Sequence, residues 1–79
     1  DRPIQVGDTV VVTADGVALR AFPGKGTTLL REMPRGSKLA LTEAPVDVDG
    51  LRWWHVKNEK YDGWAAENSG SQRLLSPVE

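Results

Sequence analysis

Turn-forming residues interrupt this chain about every ten positions, and that spacing limits most strongly what it can fold into. Asp15-Gly16, Pro23-Gly24-Lys25-Gly26, Pro34-Arg35-Gly36 and Asp49-Gly50 leave segments too short for a long helix, and no segment carries a sustained amphipathic-helix pattern. The pieces between them suit a pleated surface. Thr9-Val10-Val11-Val12-Thr13 is β-branched throughout, and Val17 and Leu19 alternate with smaller or polar neighbours, so the two segments read as a hairpin around Asp15-Gly16. Leu29, Leu30 and Met33 form an apolar stretch that fits helix or strand. Leu39 and Leu41 alternate with Lys38, Ala40 and Thr42 across 37–43, and Leu51 to Lys57 and Trp64 to Ala66 read as further strands, with Asn68-Ser69-Gly70-Ser71 as a loop. The expected fold is all-β, a small barrel or sandwich of five to seven short antiparallel strands.

Seventy-nine residues allow one domain and one core. With 39% hydrophobic and 27% charged residues the chain lies on the globular side of the disorder boundary. It has no cysteine, so stability must come from packing and not from disulfides or thiolate metal sites. Apolar runs such as Val10-Val11-Val12 are far too short for a transmembrane helix, so membrane insertion is not expected. Because it opens at Asp1 without a methionine, the chain reads as an excerpt of a larger protein. The net charge is −1, with six basic and four acidic residues in 1–40 and four and seven in 41–79. Neither half has the clustered Lys and Arg that phosphate neutralisation needs, which argues against nucleic acid.

Period two places Leu19, Leu39, Leu41, Trp54 and Val56 in the core and puts Trp53 and His55 on the opposite face of their strand. Unless a bulge reverses the two tryptophans, Trp53 is therefore expected at or near the surface, where its amphipathic ring either contacts a ligand, with Phe22 and Tyr61 on loops completing a shallow aromatic surface, or merely covers the barrel end beneath a loop. Arg20 and Arg35 are either solvated charges or partners for peptide carboxylates. Catalysis finds little support, since nucleophile, base and orienting group must converge and the one histidine, His55, lies inside a strand. Gly24-Lys25-Gly26-Thr27 fails the phosphate-loop pattern because position 19 is Leu19 and position 26 is Gly26. Asp47-Val48-Asp49-Gly50 lacks the further carboxylate of a calcium loop and reads as a solvated turn. Neither metal nor cofactor is implied.

Several motifs stand in the order found in the bacterial SH3 domain family (SH3b). Val17-Ala18-Leu19-Arg20 resembles its Leu-Asn-Val-Arg motif, and Phe22-Pro23-Gly24 resembles the Gly-Pro loop after it. Leu30 to Leu41, with Gly36 at the turn, resembles its middle stretch, while Trp53-Trp54-His55-Val56 and Gly63-Trp64-Ala65 resemble its Trp-aromatic-x-Val and Gly-Trp-Val strands. The likeness runs from about residue 9 to residue 75 and departs from the pattern at Ala18, Phe22 and Lys60. It implies an SH3-like barrel acting as a non-catalytic binding module of a bacterial cell-envelope or secreted protein. The implied ligands are peptides such as peptidoglycan stems or cross-bridges, and the implied location is extracellular or in the cell envelope. An accessory domain that packs on neighbouring domains of its own chain is the alternative. The Ala-Leu-Tyr-Asp-Tyr signature of eukaryotic SH3 domains is missing, so recognition of proline-rich helices is not implied.

Overall fold

A computed structural model describes residues 4–69 and 71–78; Gly70, expected in a loop, lies outside the described residues. The fold is all-β and antiparallel, as expected from the turn spacing. Its strands are β1 (Thr9–Val12), β2 (Val17–Arg20), β3 (Leu29–Met33), β4 (Lys38–Leu41), β5 (Val46–Val48), β6 (Leu51–Lys57), β7 (Asp62–Ala66), β8 (Asn68–Ser69), β9 (Gln72–Arg73) and β10 (Leu75–Pro77). Ten strands exceed the expected five to seven because β5, β8, β9 and β10 have only two or three residues, too few for alternation to register in sequence. The main sheet runs β10-β1-β4-β6-β7-β2-β3 with β5 branching from β6, and β8 pairs separately with β9.

The chain does not make the hairpin expected at Asp15-Gly16. Both edges of β1 are already occupied, by β4 and by β10, so β2 pairs with β3 and β7 instead. Local geometry agrees. A two-residue type I′ turn needs positive φ at both positions, and among the described residues Gly16 has it (71°) while Asp15 does not. Asp49 (56°) and Gly50 (75°) both have it, and they close the tight β5–β6 hairpin with Val48 opposite Leu51. The ambiguous stretch at 29–33 is strand β3, which ends the sheet path and bulges at Leu30, because Leu19 faces Arg31 while Arg20 faces Leu29.

Apart from β3, which buries only Met33, each strand of four or more residues sends alternate side chains into one core. Leu19, Leu39, Leu41, Trp54 and Val56 are buried as expected, joined by Val10, Val12, Val17, Met33, Ala65 and Leu75. The curled sheet thus encloses a small barrel-like interior. Trp54 fills it with its ring and directs its indole N–H to Glu67 Oε1 at 2.8 Å, which satisfies the polar end of a buried aromatic side chain. Opposite Val56 lies Gly63. A Cβ built there would stand 2.7 Å from the Arg20 carbonyl oxygen and 3.1 Å from Leu19 Cγ and Cδ1, so β7 approaches β2 closely only because position 63 has no side chain.

Gly63→Ala is accordingly expected to destabilise the domain by about 1–3 kcal/mol through overpacking. A thermal melt unchanged from wild type would show that β2 and β7 can separate freely there.

Candidate functional site

The outer surface of the sheet carries two side-chain groupings, one on the open face and one in a cleft. On the open face, direct register pairs place Leu29 opposite Arg20, Arg20 opposite Trp64 and Trp64 opposite His55. The His55 and Trp64 rings are tilted at 56° with centroids 5.4 Å apart. His55 Nε2 lies 2.8 Å from Asp62 Oδ1, and since a carboxylate only accepts, Nε2–H donates. In the neutral ring Nδ1 then accepts from the Thr42 hydroxyl, with Glu43 Oε2 3.6 Å from the same nitrogen. The order hydroxyl, imidazole, carboxylate has the connectivity of a nucleophilic triad. It is built differently, however. The Thr42 N–H is engaged by the His55 carbonyl at 3.2 Å, and none of the three residues lines the cleft. These bonds orient the His55 ring across β4, β6 and β7.

The cleft, of about 650 Å³, opens where the β1–β2 turn, β2, the start of β6 and the end of β7 meet Ser69, Gln72 and Leu74. Leu51, Trp53, Ala66, Ala18 and Leu74 supply apolar surface, and Arg20, Lys25 and Arg35 supply three cations. Asp15 also lines it and pairs with Arg35 at 3.6 Å, with both side chains largely exposed. Among the described residues no group of three or more His, Asp or Glu is placed to hold a metal ion.

One wall depends on the β2–β3 loop. Ala21 N–H bonds Thr28 O at 2.9 Å and closes the loop at its base, while Arg20 Nη1 donates to Thr27 O at 2.7 Å. The Thr27 hydroxyl lies within hydrogen-bond reach of both the Phe22 and Gly24 carbonyls. The loop rests on the β5–β6 turn, where Lys25 N–H bonds Asp49 Oδ2 at 3.1 Å and a Cβ at Gly24 would touch Val48 Cγ1 at 3.4 Å. This Pro- and Gly-rich segment reads as a loop in the sequence, but nothing local reveals that it packs back on β5 and β6.

That arrangement corrects the expected aromatic surface. Trp53 is on the outer face as its parity requires, yet it is only 3% exposed, with its indole N–H donating to Val48 O at 3.0 Å. Its neighbour across the ladder is Ala66, whose small side chain leaves the indole room to lie down on the sheet. Trp53 is therefore part of the cleft wall and not a free-standing anchor. Phe22 is on the loop at 65% exposure but does not line the cleft. Tyr61 packs against the core at the β6–β7 turn, beside Lys57 and Asp62, roughly 13 Å along the strand from Trp53. Trp53, Phe22 and Tyr61 thus form no common surface. Arg20 does line the cleft, with Arg35 beside it. Lys25, Leu51, Ala66 and Leu74 were not legible as site residues, because only the tertiary fold brings them together.

Trp53→Ala should destabilise the domain by about 3–5 kcal/mol, as for other buried aromatic truncations. Trp53→Phe should cost less, because it keeps most of the ring volume and loses the bond to Val48 O. A denaturant midpoint for Trp53→Ala within error of wild type would place the ring in solvent after all.

Comparisons of the chain with family models, with curated proteins and with solved structures found no match, so likeness assigns it neither a family nor a ligand.

Proposed function

We propose that the chain is a non-catalytic binding module that takes extended peptides in the cleft beside Trp53. The observation that carries this reading is the combination of an apolar wall, built from Leu51, Trp53, Ala66 and Leu74, with a cationic margin formed by Arg20, Lys25 and Arg35. Concave apolar surface with a few polar groups fixing orientation is the usual form of a ligand site. The bacterial SH3-like motifs between residues 9 and 75 support peptidoglycan stem or cross-bridge peptides as the ligand class, and a cell-envelope or secreted protein as the setting. Among the described residues no helix is long and apolar enough to cross a membrane.

A second reading, an accessory domain docked on its own neighbouring domains, is favoured by a different observation. Leu29 and Leu30 are 50% and 47% exposed on β3, the strand that ends the sheet path, and Phe22 protrudes from the loop that precedes it. A half-exposed apolar edge strand invites cover.

Titrating the isotope-labelled domain with stem and cross-bridge peptides separates the two. Peptide binding in the cleft should shift the Leu51, Trp53, Ala66 and Leu74 amide resonances in a saturable manner. Shifts confined to Leu29, Leu30 and Phe22, or none at millimolar peptide, would favour the accessory reading.

A further inference from the structure

We infer that Asp15-Gly16 is a site of spontaneous covalent modification, where the chain closes to a succinimide and reopens to isoaspartate as well as aspartate. This chemistry needs no ligand in the cleft. Glycine after aspartate leaves the backbone nitrogen unhindered, so that it can attack the side-chain carboxyl carbon. A C–N bond forms, and one carboxylate oxygen leaves as water with the amide proton and a proton from solvent. Water then adds to either imide carbonyl and breaks its bond to nitrogen, returning one proton to solvent. Opening at the side-chain carbonyl restores aspartate. Opening at the backbone carbonyl yields isoaspartate, with the side-chain methylene inserted into the main chain.

Three Asp-Gly pairs share that chemistry, and the fold leaves one of them free to use it. Asp62-Gly63 lies within β7, where both residues pair with β6 and Asp62 Oδ1 accepts from His55 Nε2 at 2.8 Å. A Cβ at Gly63 would stand 2.7 Å from the Arg20 carbonyl oxygen, so the strand has no room to swing there. Asp49-Gly50 is open in space, but Asp49 Oδ2 accepts from Lys25 N–H at 3.1 Å, and both residues hold the positive φ that closes the β5–β6 hairpin. Neither restraint acts at Asp15-Gly16. The pair lies in the turn before β2, the Asp15 side chain is 86% exposed, and its contact with Arg35 at 3.6 Å is a surface pair of little strength. Among the described residues none accepts a hydrogen bond from Gly16 N–H, and a Cβ built on Gly16 would have only Glu32 Oε1 within reach, at 4.0 Å. Asp15 and Gly16 both line the cleft, so the reaction alters its margin. The succinimide removes the one carboxylate among the lining residues, and isoaspartate returns that charge on a longer backbone.

The test ages the whole folded chain at neutral pH and physiological temperature, and maps isoaspartate by peptide mass spectrometry and by enzymatic methylation of isoaspartyl carboxyl groups. The same chain aged in denaturant gives each pair its reference rate, set by local sequence alone. Relative to that reference, Asp15 should convert roughly tenfold faster than Asp49 or Asp62 in the folded chain, because each of those must first give up a hydrogen bond to its carboxylate. Asp15→Glu keeps the charge at the turn but would need a larger ring, so it should abolish the early product. Isoaspartate formed first at Asp49 or Asp62, or at all three pairs alike relative to their references, would overturn the assignment. So would a folded chain whose Asp15 stays unmodified over a period that converts it in denaturant. An early product that persists in Asp15→Glu would come from another residue and would overturn it as well.

Discussion

The five-pair ladder between β6 and β7 is the constraint on which both the interior and the outer site depend. Its register sets Trp54 opposite Ala65 and Val56 opposite Gly63 on the core side, and Trp53 opposite Ala66 and His55 opposite Trp64 on the outer side. A slip by one residue would exchange these faces, exposing Trp54 and forcing Trp53 into a space shaped for its neighbour. Each large residue in the ladder faces a smaller one except His55, whose partner Trp64 lies outside the core where a tilted ring pair has room. Gly63 extends the constraint to β2, because the Arg20 carbonyl occupies the space a Cβ would need. The position of Arg20 at the edge of the cleft is thus a consequence of a glycine on the neighbouring strand.

The parts of this architecture that were legible in sequence are those governed by strand period. Leu19, Leu39, Leu41, Trp54 and Val56 are all in the core, since alternation within a strand is a local property that tertiary context does not alter. Strand partnership is not local. The sequence holds three Asp-Gly pairs, yet only Asp49-Gly50 closes a tight hairpin: Asp62-Gly63 lies within β7, and at Asp15-Gly16 β1 already has β4 and β10 on its edges. Burial of an outward-facing residue is equally non-local. Trp53 has the parity of a surface residue and the exposure of a core residue, a combination that requires knowing what lies over the sheet.

For the site, sequence left Arg20 and Arg35 as either solvated charges or partners for peptide carboxylates, and it grouped three aromatics that the fold sets apart. Phe22, Trp53 and Tyr61 are alike in chemistry, and chemistry alone suggests a shared surface. The ladder separates them, since Tyr61 belongs to the turn at one end of β6 while Trp53 lies toward the other. The residues that do accompany Trp53, such as Ala66 and Leu74, are too ordinary to be noticed one at a time.

The loop that bounds the cleft is held differently from the barrel it rests on. Its bonds are polar and few, chiefly Arg20 to Thr27 O, Thr27 to the carbonyls of Phe22 and Gly24, and Lys25 N–H to Asp49, while its one large apolar residue, Phe22, remains mostly in water. Segments with little apolar burial open at lower free energy than the core they cover. Arg20 sits where the two regimes meet, with its backbone in the ladder opposite Trp64 and its guanidinium bonded to the loop. By linkage, a cleft ligand that requires the closed loop must bind less tightly after any change that loosens it, by the free energy of closing the loop again, even where the residue altered never touches the ligand.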